Sequence, residues 1–183
     1  NKEATTATYQ DNQSVKNLTS EDNKIVYLYA VWEANTYTVT YYNGNTKINT
    51  STHKYDESKT LTTWNALGAQ ITNSSYGWTF AGWSTSENNT TRTYSNGESV
   101  ENLKTSGNIN LYAVYQRTVT FKSGVNGATS SAKTQYWNPY GTTNGTHLSG
   151  VSAPSLTTIS GWTVSGYRND ESASTKEFSY GGT

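Results

Sequence analysis

The sequence repeats itself at a spacing of roughly 80 residues, and no other feature constrains the fold as strongly. Residues 28–31 read Leu-Tyr-Ala-Val, and the same four residues return at 111–114. A Ser-Val-x-Asn-Leu segment precedes each of them, at 14–18 and at 99–103. Because self-similarity at a fixed period indicates repeated structural units, we expect tandem small modules rather than one large domain.

Two further echoes set the limits of one repeat. The sequence TVTY at 38–41 returns as TVTF at 118–121, and GWTFAGW at 77–83 returns as GWTVSGY at 161–167. These matches divide the chain into three predicted parts. They are the closing half of a preceding repeat at 1–36, one complete repeat at 37–116, and the front part of a following, divergent repeat at 117–183.

The first and third parts are predicted to be complementary. The third part stops near Tyr180, Gly181 and Gly182, which match Tyr94 and the turn after it, so it lacks the closing strand that the first part contains. One hypothesis is that the two halves complete each other by strand addition, between neighbouring chains or within one chain. The other is that the third part folds alone and the first part docks on the complete repeat as an extra strand.

Aromatic residues must supply much of the core. Only 32% of the residues are hydrophobic, whereas 13% are aromatic and the chain has no Met. Large rings bury much apolar area per residue, so a thin core can be built from them. The four Trp residues at repeated positions are predicted to be buried: Trp32, Trp78, Trp83 and Trp162.

Alternating apolar residues predict four strands in the complete repeat. A turn at Asn43-Gly44-Asn45 predicts that the first two strands form a hairpin, and Gly82 marks a bulge or a close backbone approach in the third. The predicted strands cover residues 37–41, 47–55, 78–83 and 109–115.

The Ser-Val-x-Asn-Leu segment at 99–103 is predicted to be a short helix that covers the sheet, because Ser99 can cap it and Val100 and Leu103 share a side. A further helical turn is predicted around Leu61, Trp64 and Leu67, ending at Gly68. The predicted fold class is therefore α+β and β-rich, with tandem β-grasp-like modules of a mixed sheet and a short covering helix.

The Gly-Trp-Thr-Phe-Ala-Gly-Trp segment followed by a Leu-Tyr-Ala-Val end resembles the Listeria–Bacteroides repeat family, the B-repeat-like modules of bacterial surface proteins. The resemblance is carried by Gly77, Phe80, Gly82, Trp83, Leu111, Tyr112, Ala113 and Val114. It weakens in the third part, where Val164, Ser165 and Tyr167 replace Phe, Ala and Trp. The resemblance implies extracellular modules, attached to the cell surface and serving adhesion or spacing, with no catalytic residues.

The sequence contains few features that indicate a catalytic, metal-binding or nucleic-acid-binding site. With 13 basic and 13 acidic residues the net charge is zero, which gives no electrostatic footprint for nucleic acid. The absence of Cys excludes thiolate metal sites and a Cys nucleophile. We expect neither His53 nor His147 to be catalytic, and we interpret the acidic pairs Glu21-Asp22, Asp56-Glu57 and Asp170-Glu171 as turns rather than as a calcium site. No catalytic residue, metal or cofactor is predicted.

No apolar run is long enough to span a membrane, and the first residues do not form a signal peptide, so the sequence is interpreted as an excised piece of a longer protein. The predicted function is that of a non-enzymatic stalk, spacer or adhesion module of a secreted or cell-surface bacterial protein. The alternative is a carbohydrate- or protein-binding module that uses aromatic residues outside the repeated core, namely Trp64, Trp137 and Tyr140. The partners would then be a host or cell-surface protein or a glycan.

Overall fold

The computed structural model describes residues 5–71, 77–122, 131–141, 147–155, 159–169 and 178–179, and the described residues contain nine strands and no helix. The chain divides into two units, Asn1–Asn35 and Thr36–Thr183, and all nine strands lie in the second unit. The strands are β1 (Thr36–Asn43), β2 (Thr46–Lys54), β3 (Lys59–Thr60), β4 (Thr79–Ser84), β5 (Ser99–Val100), β6 (Gly107–Phe121), β7 (Ser131–Trp137), β8 (Gly166–Tyr167) and β9 (Phe178–Ser179).

Five of these strands form one curled, mixed sheet. Gly44, with a φ of +56°, turns β1 back into β2, which confirms the predicted hairpin. Strand β6 runs parallel to β1 on one edge and antiparallel to β4 on the other. The strand order is therefore β2-β1-β6-β4, and β6 is the central strand.

The middle of β6 is buried on both faces. Leu111, Ala113 and Tyr115 are at most 1% exposed and belong to the hydrophobic core, together with Tyr41 of β1 and Trp83 of β4. The alternate residues of the same stretch are buried on the opposite face of the sheet. Because this strand is paired on both edges and covered on both faces, the packing of the complete repeat depends on it.

The predicted covering helix at 99–103 is wrong, and with it the α+β, β-grasp-like interpretation of the fold. Ser99 and Val100 instead form β5, which pairs with β3. Asn102 then adopts a φ of +54°, outside the right-handed helical region. Its side chain accepts the backbone N–H of Asp56 at 2.6 Å and donates to Asp56 Oδ1 at 2.9 Å. These bonds hold a turn where the sequence spacing indicates a helix.

The second predicted helical segment is a single hydrogen-bonded turn. The backbone N–H of Leu67 donates to Thr63 O at 3.0 Å, and that of Gly68 donates to Asn65 O at 3.1 Å. Gly68 has a φ of +65°, which ends the turn.

Strand β6 joins the complete repeat to the next one without a linker. Its 15 residues include both the closing strand of the complete repeat and the TVTF segment of the following part. Strand β7 pairs with β6 from Tyr115 to Phe121. Because β4 also pairs with Tyr115 and Gln116, β7 must lie on the opposite edge of β6. This is the edge that β1 occupies between Gly107 and Tyr112. Successive repeats therefore share one strand and one sheet.

The first unit keeps the local turns of the complete repeat. Asn12 and Asn17 have φ values of +58° and +53°, at the positions where the complete repeat has Gly97 at +67° and Asn102 at +54°. Asn and Gly are the residues that most readily adopt this left-handed conformation. Both units therefore have, at the matching positions, residues that tolerate this conformation.

The closing strand predicted in the first part, which the match to β6 would place at 25–32, is not formed. A strand needs partners for its backbone N–H and C=O groups, and no described strand pairs with residues 25–32. Its large apolar side chains are exposed: Ile25 71%, Val26 41%, Tyr27 69%, Leu28 59%, Tyr29 54%, Val31 37% and Trp32 91%. The predicted burial of Trp32 is therefore wrong, and so is that of Trp162, which is 71% exposed. The prediction is confirmed for Trp78 and Trp83, which are 7% and 0% exposed.

Gly82 forms the predicted bulge. The register of β4 against β6 shifts between Phe80 and Gly82, and Gly82 has a φ of +146°. A Cβ atom at this position would collide with the Tyr94 carbonyl oxygen and lie 2.5 Å from Arg92 Cδ. Gly166 has nearly the same conformation, with a φ of +156°. The glycine is required both by the backbone and by the close approach of the following loop.

We expect Gly82→Ala to lower the free energy of unfolding by about 3 kcal/mol, because the added methyl group meets backbone as well as an unfavourable φ. Gly68→Ala is the matched control, since Gly68 also has a positive φ but a methyl group added there would meet no atom within 4 Å. It should cost only about 1 kcal/mol. Urea unfolding measures both values, and equal losses would contradict a role of crowding at Gly82.

A series of polar side chains with hydrogen-bonding contacts connects β2 to β1. His53 is 1% exposed and its Nε2 lies 3.0 Å from Ser51 Oγ. Ser51 Oγ lies 3.1 Å from the Tyr41 hydroxyl, which accepts the backbone N–H of Thr62 at 3.0 Å. The imidazole also stacks on Tyr37, with ring centroids 5.4 Å apart.

Burial, together with the positive charge of Lys59, lowers the pKa of His53 below its ordinary value of about 6.5. The unfolded chain takes up a proton at this residue as the pH falls through 6.5, whereas the folded chain takes it up only at a lower pH. The contribution of His53 to stability is therefore complete above that pH and is lost below it, by up to about 1.4 kcal/mol per pH unit.

We expect His53→Gln to remove this part of the pH dependence in urea unfolding between roughly pH 5 and pH 8. Glutamine is a suitable replacement because the next repeat has a glutamine at the equivalent position. Gln135 of β7 lies opposite Arg117, as His53 of β2 lies opposite Tyr37, and Gln135 is also buried, at 8% exposure. The control is His147→Gln, because His147 lies outside this core, and this variant should keep the pH dependence of the free energy of unfolding. An unchanged slope in His53→Gln would contradict the assignment.

Candidate functional site

Two of the three aromatic residues predicted to meet a ligand lie in the core. Trp64 and Trp137 are each 6% exposed. Trp64 stacks on Phe80 with ring centroids 4.3 Å apart. Trp137 packs against Trp78 and Tyr115, with centroid distances of 5.6 Å to both. Neither indole presents a face to a sugar ring in this structure.

Tyr140 lies at the surface, in a group that we call the tyrosine cluster: Tyr42, Glu87, Tyr112 and Tyr140. The ring of Tyr112 lies 5.3 Å from that of Tyr42 and 4.7 Å from that of Tyr140. The rings of Tyr42 and Tyr140 meet edge to face at 5.9 Å. The Tyr112 hydroxyl donates to Glu87 Oε1 at 2.9 Å. Tyr112 is buried, whereas Tyr42 and Tyr140 are half-buried and form the outer part of the cluster.

Two phenols of the cluster, those of Tyr112 and Tyr140, have a raised pKa. Burial raises the pKa of Tyr112 to about 12, and the hydrogen bond and negative charge of Glu87 add to this rise. Desolvation and the Glu87 carboxylate also raise the pKa of Tyr140. At neutral pH the cluster therefore offers ring faces, hydroxyl donors and one carboxylate acceptor, which are the groups that bind a polyhydroxylated ligand.

Asn138 fixes the loop that carries Tyr140. Its side chain is fully buried and donates to Ser86 O at 3.2 Å and to Asn89 O at 2.9 Å. Its Oδ1 accepts the backbone N–H of Tyr140 at 3.1 Å. A loop of the third part is thereby fastened to the complete repeat, and the tyrosine cluster exists only because two consecutive repeats meet there.

The structure does not assemble a catalytic group in the described residues. Ser51 and His53 are within hydrogen-bonding distance, as in serine hydrolases, but His53 is buried and its Nδ1 has no hydrogen-bond partner among the described residues. A substrate could not reach this pair, so it is part of the core. The part of the chain that the structure describes also holds no group of three His, Asp or Glu residues placed to bind a metal ion.

The acidic pairs have ordinary surroundings where they are described. Glu21 forms an exposed ion pair with Lys24 at 2.7 Å. Asp56 bonds to Asn102 in the turn described above. The pair at 170–171 and the match at 180–182 lie outside the described residues.

The residues that carry the resemblance to the repeat family lie in turns and strands of the complete repeat. Gly77 occupies a left-handed turn with a φ of +75° and Gly82 the bulge, while the remaining members lie in two strands. Those in β4 are Phe80 and Trp83, and those in β6 are Leu111, Tyr112, Ala113 and Val114. Of these, Tyr112 alone also contributes to the tyrosine cluster.

Sequence reasoning missed Tyr42 and Glu87. The alternation of β1 places Tyr41 in the core and Tyr42 on the other face, so this pattern could have identified Tyr42 as available to a site. Glu87 follows β4 in an irregular segment, and nothing in the sequence signals its approach to Tyr112.

Comparisons with protein-family models, curated proteins and solved structures found no match to this chain. Among the described residues, no helix is long and apolar enough to cross a membrane.

Proposed function

We propose that this chain is a non-enzymatic repeat segment of a secreted or cell-surface bacterial protein, related to the Listeria–Bacteroides repeats, and that it acts as a spacer. The observation that carries the proposal is the continuity of β6, which closes one repeat and opens the next as a single 15-residue strand. A spacer must keep its two ends at a fixed separation. A strand shared by two repeats provides this, because it leaves no linker about which they can turn.

Side chains reinforce the joint between the repeats. Trp137 of β7 packs against Trp78 of the complete repeat at 5.6 Å. The guanidinium group of Arg117 lies over the Trp78 ring, 4.6 Å from its centroid, and Arg117 Nε donates to Gln135 Oε1 at 2.8 Å. Gln135 Nε2 in turn donates to Ser149 O at 3.0 Å. Contacts from both repeats thus surround the shared strand.

Spin labels test whether the joint is rigid. The chain has no native Cys, so Thr50→Cys in β2 and Thr134→Cys in β7, both exposed, place one label in each repeat. We expect a single narrow distance distribution by double electron–electron resonance. Adding Trp137→Ala should broaden it, because this change removes the ring that packs on Trp78 and costs about 3 to 5 kcal/mol.

Trp32→Ala is the matched control, since Trp32 is 91% exposed and should leave the distribution unchanged. A broad distribution in the otherwise unaltered sequence would show a hinge between the repeats and would contradict the spacer proposal.

A second candidate function is carbohydrate or protein binding by the tyrosine cluster. It is favoured by the two half-buried rings of Tyr42 and Tyr140 and by the fixed carboxylate of Glu87. Aromatic faces beside a hydrogen-bond acceptor suit a sugar ring, whose C–H groups stack and whose hydroxyls donate.

A glycan array tests this candidate. If the cluster binds sugars, Tyr140→Ala should reduce the selective signal by roughly ten-fold or more, because one stacking face is lost. Tyr9→Ala, at an exposed Tyr outside the cluster, should leave the signal unchanged. An array without selective binding would leave the spacer proposal alone standing.

A further inference from the structure

The sheet face that carries the tyrosine cluster continues into a surface of uncharged polar side chains. Side chains alternate along a strand, so this face of β6 is the one opposite to the core residues Leu111 and Ala113. The parallel pairing of β1 with β6 and its antiparallel pairing with β2 set three rows of such side chains next to one another. We call this surface the polar face: Thr38, Thr40, Thr50, Thr52, Asn108 and Asn110.

Hydrogen bonds connect the polar face to the tyrosine cluster. Thr40 Oγ1 donates to Asn108 Oδ1 at 2.6 Å, and Asn108 Nδ2 donates to Asn110 Oδ1 at 2.5 Å. Asn110 Nδ2 donates to the Tyr112 hydroxyl at 3.2 Å, and this hydroxyl donates to Glu87 Oε1 at 2.9 Å. The contacts fix the orientation of both amides and join the polar face and the cluster into one continuous surface.

Both amides keep hydrogen-bonding capacity for a ligand. A carboxamide has two N–H groups and two oxygen lone pairs, and in the bonds above Asn108 and Asn110 each use one of both kinds. Asn108 is exposed and Asn110 is half-buried. Charges lie only at the two ends of this row, at Glu87 beside Tyr112 and at Lys104, whose Nζ donates to Asn108 O at 2.5 Å. The stretch between them suits an uncharged ligand with many hydroxyl groups.

This surface is long and nearly straight. Asn108 and Tyr112 are four residues apart on β6, which at roughly 3.3 Å per residue gives about 13 Å. One hexose ring is shorter than this distance. In a β-1,4-linked chain both linkage bonds of each ring are equatorial and point in opposite directions, so the chain is extended, whereas an α-1,4-linked chain is curved. An extended chain of linked sugars therefore matches the row along the strand.

We propose that the polar face and the tyrosine cluster together bind a β-1,4-linked oligosaccharide. One sugar stacks on the rings of Tyr42 and Tyr140, and the sugars that follow lie along Asn110 and Asn108. Their hydroxyl groups accept the remaining amide N–H groups and donate to the Glu87 carboxylate. This extended site rests on the second candidate function, glycan binding by the tyrosine cluster, and adds to it the linkage and the length of the ligand.

Calorimetric titration of the full chain tests this site with three series of oligosaccharides. They are cello-oligosaccharides and chito-oligosaccharides, which are β-1,4-linked, and malto-oligosaccharides, which are α-1,4-linked. In a β-1,4-linked series we expect the affinity to rise at least roughly ten-fold from disaccharide to tetrasaccharide, because the added sugars reach the polar face. The maltotetraose affinity should be at least roughly ten-fold lower than that of the better β-1,4-linked tetrasaccharide. An affinity independent of chain length, equal binding of maltotetraose, or no binding of either β-1,4-linked series would overturn the proposal.

Three variants locate the ligand on this surface. Asn108→Ala should weaken tetrasaccharide binding roughly three- to ten-fold and leave disaccharide binding unchanged, because Asn108 lies at the end away from the rings. Tyr140→Ala should weaken both. Asn49→Ala is the matched control, since Asn49 is also exposed but alternation places it on the opposite face from Thr50. Equal tetrasaccharide binding by Asn108→Ala and the unaltered chain would also overturn the proposal.

The outcomes separate this site from the function on which it rests. Selective binding that is lost in Tyr140→Ala but does not depend on chain length would overturn the extended site and leave glycan binding by the cluster standing. The absence of selective binding to any glycan would overturn both. The spacer proposal is tested independently, because the distance distribution between the spin labels is measured without a ligand.

Discussion

The complete repeat depends on the pairing of β6 along both of its edges. This strand receives β1 in parallel on one side and β4 in antiparallel on the other, and its middle residues are buried on both faces. The remaining features follow from it. The bulge at Gly82 adjusts β4 to this strand, and the large rings of Tyr41 and Trp83 enclose its apolar face. Residues 28–31 show what the same sequence does without such neighbours, since they form no strand and are exposed.

The continuity of β6 also relates the fold to the proposed function. A joint made of a shared strand and of rings from both repeats resists bending more than a linker would, because bending would break backbone pairing and separate Trp78 from Trp137. The tyrosine cluster lies at the same joint, since Tyr42 and Tyr112 belong to the complete repeat and Tyr140 to the part that follows. Spacing and binding would therefore depend on the same contact between repeats.

Errors in the sequence-based interpretation have a common physical origin. The segment at 99–103 has a capping Ser and apolar residues three apart, which is a helical pattern. Ser99 and Val100 nevertheless pair with β3 as an extended strand, and the bonds between Asn102 and Asp56 hold a turn. Trp64 and Trp137 lie outside the repeated positions, which favours exposure, yet both fill the core beside Phe80 and Trp78. In each case contacts from residues distant in sequence outweighed a local pattern.

The sequence by itself determined the repeat, the hairpin at Gly44 and the bulge at Gly82, because these depend on alternation and on a residue that tolerates a positive φ. Only the tertiary structure decided which copies of a strand sequence become strands. Backbone groups and apolar side chains of one segment are satisfied by neighbours from elsewhere in the chain, so Leu111 is buried and Leu28 is not. The same dependence on neighbours places Tyr42, Glu87, Tyr112 and Tyr140 together, which no local pattern in the sequence could specify.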